Sequence, residues 1–546
     1  MKRPLPIRRY LTRFSTLELP QHFTDVLVIG SGIAGLSAAL TASAHGKVAV
    51  VTKGAIDDCN TSYAQGGIAA AIAPTDSVED HVRDTLEAGA GLGREEVVRY
   101  AIEEGTRAVN ELIALGARFD CDAEGKVSFT REGGHSRARI LHARGDRTGS
   151  EIERALVDAL RRAENVRVLE RTFAIDLLTK GGECVGALVH DEKVGRQVVW
   201  ARATVLATGG CGRIFRETTN PEVATGDGFA MAFRAGAALM DMEFVQFHPT
   251  TLYIAGAARA LVSEAVRGEG GTLIDKTGVR FMKEVHPLAE LAPRDVVSRA
   301  IVRRMREVGD TQVYLDLRAL PAERVRERFP YLASLCTSFD LDFEREPIPV
   351  RPTAHYQIGG VAADLTTRTT LARLFACGET ACTTFHGANR LGSNSLLEGL
   401  VFGRRAGNEA GLSLRGQEPI QRPVEIEHVF KESHPHAPLD LEDLYSSLRA
   451  TMWYHAGVER DAKGLFEALK RIRYWIRYAL DREMDGPRGW EIQNMLIVAL
   501  VIGRQALLRQ ESRGVHFRSD HPERDDSKWQ RHTQITLEEL LAEGDI

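Results

Sequence analysis

The chain has 546 residues, 43% apolar and 27% charged, with a formal net charge of −5. That length holds about two to four domains and a sizeable core, and so small a charge excludes a broad basic field for nucleic acid or an acidic tail, leaving small molecules as the expected partners. Seven cysteines without a CxxC pair fit a reducing, cytoplasmic setting and argue against zinc, iron–sulfur or any other resident metal.

The N-terminal extension, 1–24, is basic but has no long apolar run, so it does not read as a secretory signal; an organelle leader stays open. Asp25-Val-Leu-Val-Ile-Gly30 follows, then Gly30-Ser-Gly32-Ile-Ala-Gly35 and an alanine-rich stretch to Ala44. Strand, glycine turn and helix are the context a dinucleotide fingerprint needs: Gly30 for the tight turn, Gly32 for close approach of a pyrophosphate, Gly35 for helix–strand packing, with phosphates at the helix N-terminus. A second strand, Val48 to Lys53, ends in Thr52 and Lys53 where NAD-binding folds place an acid for the ribose, which weakens an NAD reading.

Asn60 to Gly67 is a polar loop closing on two glycines. Ser77-x-x-Asp80 predicts a capped helix start, and Val97, Val98, Ala101, Ile102, Val109 and Leu112 share a helical period. From Val166 to Val205 the pattern alternates like a β-meander and closes on Gly209-Gly210. Strand-and-glycine chemistry returns at Leu374 to Glu379 and again before the apolar helix that follows Asn389. The expected organisation is a doubly wound α/β nucleotide domain in two parts, 25–241 and 355–415. A capping α+β domain, 242–354, is inserted between them. A proline-rich linker, 416–439, leads to a C-terminal helical domain, 440–546, where Leu465, Leu469, Ile472, Trp475, Ile476 and Leu480 recur near period 3.6. The apolar run Met495 to Ile502 has eight residues where a membrane span needs about 20, so no crossing is expected. His434-Pro-His436 is a two-ligand zinc pattern that reads as a solvated loop.

Several motifs in order, Gly30-x-Gly32-x-x-Gly35, Tyr63-Ala-Gln-Gly-Gly67, Thr225-Gly-Asp-Gly228, Gln246-Phe-His248-Pro-Thr250, Glu264-Ala-Val-Arg267-Gly-Glu-Gly270, Pro293-Arg294-Asp295, His355-Tyr-x-x-Gly-Gly360 and His386-Gly-Ala-Asn-Arg390-Leu, resemble the succinate dehydrogenase and fumarate reductase flavoprotein family from about 25 to 530. The resemblance implies FAD. Gly30, Ser31, Gly32, Ile33, Ala34, Gly35 and Lys53 would hold its ADP half. Asn60, Thr61, Ser62, Tyr63, Ala64, Gln65, Gly66 and Gly67 would run along the flavin, with Asp227 and Glu379 as acidic contacts. Ser395 and Leu396 would face the ring from a helix N-terminus, which favours an anionic reduced cofactor. Respiratory relatives attach the flavin through a histidine; Cys59-Asn60-Thr61 stands there in this chain, which implies non-covalent FAD.

For the substrate the resemblance implies a dicarboxylate held by His248, His355 and Arg390 with Gln246 and Ser263 near, Arg294 as proton donor and acceptor, and Glu264 and Arg267 as a relay. A fork of donors suits a carboxylate; an arginine is so seldom deprotonated that charge stabilisation by Arg294 is the firmer part of that role. Glu132, in Thr130-Arg-Glu-Gly-Gly-His-Ser136, occupies a position that is uncharged in members taking only diacids. A carboxylate there would receive an ammonium by a charge-assisted hydrogen bond, while its like charge would disfavour a ligand that has none; the competing reading is an ordinary surface glutamate. The implied reaction is oxidation of L-aspartate to iminoaspartate, with dioxygen (giving hydrogen peroxide) or fumarate as acceptor, opening NAD biosynthesis through quinolinate. A contact with quinolinate synthase is an expectation that no motif carries. Two alternatives stay open here: a fumarate reductase or succinate dehydrogenase subunit, and a non-catalytic flavin-binding module.

Overall fold

The computed structural model describes residues 5–257, 259–433 and 437–542. The central sheet has four parallel strands, Val166–Leu169, Val48–Val51, Gln21–Ile29 and Gly195–Leu206, and Leu374–Ala376 joins them in parallel beside the last. Except in Val166–Leu169 at the edge, the ends of these strands toward the glycines are buried, as strands covered by helices must be. On the far side of Gly195–Leu206 the strands Glu183–Asp191 and Thr172–Lys180 continue the sheet antiparallel, the meander expected between Val166 and Val205. Three parallel strands run into glycines at the same edge, Gly30, Gly209 and Gly378, which is where such sheets carry their ligands.

The helix Ile33–Ala42 lies on this sheet and is crossed by Asn394–Ser413. A Cβ on Gly403 or Gly407 would stand 2.4 and 2.2 Å from the Ala34 and Ala38 carbonyl oxygens, so backbone packs on backbone and the start of each helix is held beside the glycine edge. Val78–Ala88 begins as predicted, the Ser77 hydroxyl accepting from the Asp80 amide at 3.1 Å. The Asp80 carboxylate pairs instead with Arg83 and Arg137. The six periodic positions of Glu95–Ala114 are all buried.

A second, antiparallel sheet orders Val245–Leu252, Ile348–Gln357, Val313–Asp316 and Thr272–Ile274. It packs against Arg294–Val308 with a core of its own that includes Leu252, Val262, Leu273, Val297, Ile301 and Val350. Near the C-terminus, Leu441–His455, Ala462–Ala479 and Pro487–Leu508 form a helical group, the first two started by Asp440 and Asp461 caps. Leu465, Leu469, Ile472 and Ile476 are buried and Trp475 sits at the rim. Pro487–Leu508 is long and apolar enough to cross a membrane, but 78% of its apolar window is buried inside the protein, against Ala462–Ala479, Leu441–His455 and the helix Asp227–Arg234. It is a core helix, longer than the apolar run alone suggests because Trp490, Ile492, Gln493 and Asn494 are buried with that run. Phe14–Ser15 pairs with Glu427–His428, tying the N-terminal extension to the proline-rich passage. All seven cysteines are unpaired. His434 and His436 lie outside the described residues, among which no group of three or more side chains is placed to hold a metal.

Candidate active site

A cavity of about 1290 Å³ runs from the glycine edge of the central sheet to the second sheet. At one end it is walled by backbone. Gly30 has φ +112°, and a Cβ there would lie 2.1 Å from the Ala207 carbonyl oxygen; one on Gly35 would lie 2.0 Å from the Gly30 carbonyl oxygen. Gly35 therefore packs behind the turn, while Gly30, Ser31, Gly32, Ile33 and Ala34 line the cavity. The helix start at Gly32 has no side-chain cap, so amides with a partial positive charge face the space an anion would fill. The Thr61 hydroxyl accepts from the Ile33 amide at 3.0 Å and fixes the loop Asn60–Gly67 across the turn. Every residue of that loop lines the cavity, and the buried Asn60 Oδ1 accepts no hydrogen bond among the described residues. After the second strand, Lys53 Nζ donates to Asp227 and to Glu491, both at 2.8 Å, and Asn494 donates to the other Asp227 oxygen. Glu379 lines the middle, accepting from the Gln357 amide and the Asn60 side chain; burial pushes its carboxyl up to about 7. Ser395 and Leu396 line the cavity at the start of Asn394–Ser413. An elongated space with uncapped amides, glycines that exclude side chains and an orphaned amide oxygen fits FAD.

The other end is built from charges. Gln246 and His248 alternate onto one face of the strand Val245–Leu252, and His355 comes from the partner strand, its ring 5.2 Å from that of His248. His355 Nδ1 is held by the Thr219 hydroxyl at 3.0 Å, and His248 Nδ1 lies 3.1 Å from the Thr250 carbonyl oxygen. Burial, then Arg294 and His355 for His248 and Arg390 and Arg294 for His355, keep both imidazoles well below their ordinary pKa, so both are neutral near pH 7. The Gln246 carbonyl accepts from Arg390 at 2.9 Å and from Arg294 at 3.4 Å. Arg390 lies over the Tyr356 ring at 4.4 Å and burial, with Arg294, pushes it down to about 10. Two guanidiniums meet at a neutral carbonyl, one with a buried Nε that makes no hydrogen bond among the described residues, an arrangement whose chemistry suits carboxylates.

Arg294, the first residue of its helix, donates through Nε to Glu264 at 2.7 Å. Burial works to raise Glu264, but Arg294 and Arg267 outweigh it and hold the carboxyl below its usual value. Arg267 is fully buried, its Nη2 3.9 Å behind Glu264, and its Nε and Nη2 donate no hydrogen bond among the described residues. Ser263 lines the cavity and caps the short helix Glu264–Gly268, its hydroxyl accepting from the Ala265 amide at 3.3 Å. Gln246 and Arg267 are thus supports behind the wall, whereas Glu132, His248, Ser263, Glu264, Arg294, His355 and Arg390 are the wall.

Glu132 is no surface residue: it is 6% exposed. Its loop is pinned by the fully buried Arg139, which bridges Asp76 and Asp84 and meets His135 Nδ1 at 3.1 Å, and by His135 Nε2, 3.0 Å from the Gly392 carbonyl oxygen. Ser393, in a left-handed conformation with φ +61°, donates its hydroxyl to Glu132 Oε2 at 2.7 Å. Burial and then the Glu264 charge raise the Glu132 carboxyl, partly offset by Arg294 and by Ser393.

Sequence reasoning missed Ser393, Tyr356, Thr219, Asn389, Arg139, Glu491 and Asn494. Ser393 had a visible signal, standing in the Asn389 to Ser395 stretch directly after Gly392, but a serine before a helix reads first as a cap. Glu491 and Asn494 come from the C-terminal helix, and nothing local marks them.

The model of the FAD binding domain matches residues 25–396, and that of the fumarate reductase flavoprotein C-terminal region matches 445–544. The chain is 47% identical to the L-aspartate oxidase of Streptomyces coelicolor over 94% of this chain and 91% of that protein. It is 41% identical to the one of Nostoc sp. over 97% of both. Among solved structures it resembles Escherichia coli quinol fumarate reductase FrdA, with TM-score 0.87 and 30% identity over 95% of both chains. Mycobacterium smegmatis Sdh1 is matched with TM-score 0.82 and 35% identity over 94% of this chain and 91% of that one.

Proposed function

The chain belongs to the succinate dehydrogenase and fumarate reductase flavoprotein family and within it to the L-aspartate oxidases, and on that premise we propose that its pocket reads the two carboxylates of L-aspartate with Arg390, Arg294, His248 and His355 and its ammonium with Glu132. The reaction is the FAD-dependent oxidation of L-aspartate to iminoaspartate, the step that opens NAD biosynthesis through quinolinate, and electrons pass on to dioxygen or fumarate. Bound FAD supplies the two-electron acceptor for the hydride that leaves Cα. The rest falls to the chain. Gly30 to Gly35, the Asn60–Gly67 loop, Lys53, Asp227, Glu379, Ser395 and Leu396 would hold the cofactor. Its attachment is non-covalent in this reading, because Asn60, bonded to Glu379, stands where a histidine would form the link.

Arg390 and Arg294 fix the carboxylates, so Cα is presented in one orientation, and positioning of this kind supplies several kcal/mol of a barrier. Arg294 stabilises charge developing on the substrate, and the Arg294–Glu264–Arg267 line leads protons away from the pocket. The product is consumed by quinolinate synthase, contact with it being part of this reading, as is a cytoplasmic setting in which the seven thiols stay reduced. The single observation that carries the substrate assignment is the Glu132 carboxylate, buried near Arg294 and Glu264 and opening on the cavity. Anaerobic mixing of the yellow enzyme with L-aspartate, D-aspartate or succinate tests it: the flavin band bleaches rapidly with L-aspartate alone, and bleaching by succinate with none by L-aspartate would reverse the assignment to a succinate dehydrogenase or fumarate reductase.

A further inference from the structure

An anion that welcomes an ammonium should reject a dicarboxylate without one, yet fumarate is among the acceptors in the reading above. The surroundings of Glu132 bear on this conflict. Its Oε2 is satisfied by Ser393. Oε1 accepts no hydrogen bond from the described residues, the nearest ionisable nitrogen being His142 Nε2 at 3.9 Å. Little separates it from the neighbouring charges. A Cβ at Gly133 would come within 2.2 Å of Glu264 Oε1, and one at Gly392 would lie 3.3 Å from Glu132 Oε2 and 3.1 Å from Arg294 Nη2. The groups facing it are Glu264 and Arg267 from the short helix Glu264–Gly268, Arg294 from its own helix, His135 from the same loop, His142 after the strand Ile140–Leu141, and the Ser393 hydroxyl. Burial and Arg328 push His142 down to about 4, and burial lowers His135, so neither ring brings charge near neutral pH. The charge of the ligand beside Oε1 is what remains to decide the state of this carboxyl.

We propose that Glu132 lets one pocket serve two ligand classes by exchanging a proton with solvent: it is ionised when the ligand carries an ammonium and takes up one proton when an amine-free dicarboxylate, fumarate or succinate, is bound. The inference rests on Glu132 being the partner of the substrate ammonium. Like charges sharing a buried site cannot all stay ionised without cost, and protonation of Glu132 removes the repulsion while leaving Oε1 a donor toward the ligand. Because the diacid binds the form holding one more proton, its affinity falls as pH rises, by up to about tenfold per unit once free Glu132 is ionised. L-Aspartate binding follows no such fall while its ammonium stays charged.

Anaerobic calorimetric titration of the FAD-loaded enzyme, its flavin reduced beforehand so that neither ligand is turned over, with succinate and with L-aspartate tests this. It is run between about pH 6.5 and about pH 9, where a dicarboxylic acid of this kind is a dianion, in buffers of differing ionisation enthalpy. The expected result is uptake approaching one proton per succinate bound and a Kd rising toward tenfold per pH unit, with no uptake for L-aspartate. In Glu132→Gln succinate binds more tightly, without uptake and with a flat profile. Glu379 and Glu153, both raised to about 7, are retained in that variant, so any slope that belongs to them survives the substitution. Succinate binding without proton uptake in the wild type, or with the same uptake in Glu132→Gln, overturns the proposal. The wild-type measurement stands even if the variant fails to fold. Failure of the wild type to bind L-aspartate would instead overturn the functional reading itself.

Discussion

At the Gly30 end of the cavity the polar groups that face inward are mostly backbone amides and hydroxyls, held by contacts among neighbours in sequence and by the Asn394–Ser413 helix. At the Arg294 end they are charged side chains drawn from separate stretches around Glu132, Gln246, Glu264, Arg294, His355 and Arg390, and almost every one is braced by another charge or by an amide. In the proposed reading the first end recognises a shape common to many dinucleotides, and the second the number and sign of charges on a small ligand, so that a single carboxylate can change what it accepts.

Substitutions at the two ends should separate these modes. Gly30→Ala is expected to have the largest effect. With φ +112° and the Ala207 carbonyl oxygen 2.1 Å from the added carbon, the turn cannot keep its shape, and the purified protein should lack the yellow band. Flavin retained at one per chain would break the contrast at that end. Arg390→Leu should leave flavin content intact and lower kcat/KM for L-aspartate about 100- to 1000-fold, the cost of stranding a buried carboxylate without its partner. A fall in flavin content of similar size would mean that the two ends are not separable. The smallest effect is expected for Ser393→Ala. Losing one hydrogen bond to a charged group costs about 1.5 to 3 kcal/mol at most, and solvent filling part of the gap would leave a KM for L-aspartate raised about five- to tenfold with kcat nearly unchanged; a change in kcat alone would place Ser393 elsewhere in the chemistry.

The same contrast governs what the sequence made legible. The Gly30 end could be read almost residue by residue, because its physics is local: a strand, a turn that only glycine can make, and a helix start. The central sheet, the capped helix at Ser77 and the periodic face of Glu95–Ala114 were legible for the same reason. At the charged end resemblance supplied the wall residues, but not their bracing. Nothing in the composition of Asn389 to Ser395 says that Ser393 turns back to Glu132. The spacing of Arg139, Asp76 and Asp84 does not reveal the buried triad that pins the Glu132 loop. Lys53 lines the cavity, but its acidic partner Glu491 arrives from a helix 438 residues later. Contacts between distant segments are decided by packing, and a single sequence carries no direct mark of them.

The account depends on one buried carboxylate, that of Glu132, deciding which ligand is accepted. The most direct measurement is the ratio of kcat/KM for L-aspartate to that for succinate, determined with a common artificial acceptor in wild-type enzyme and in Glu132→Gln. Loss of a charge-assisted contact on one ligand and of a repulsion on the other should lower that ratio by about 100-fold or more, with succinate oxidation rising in absolute terms. A ratio unchanged from the wild type in a variant with full flavin content would contradict the account.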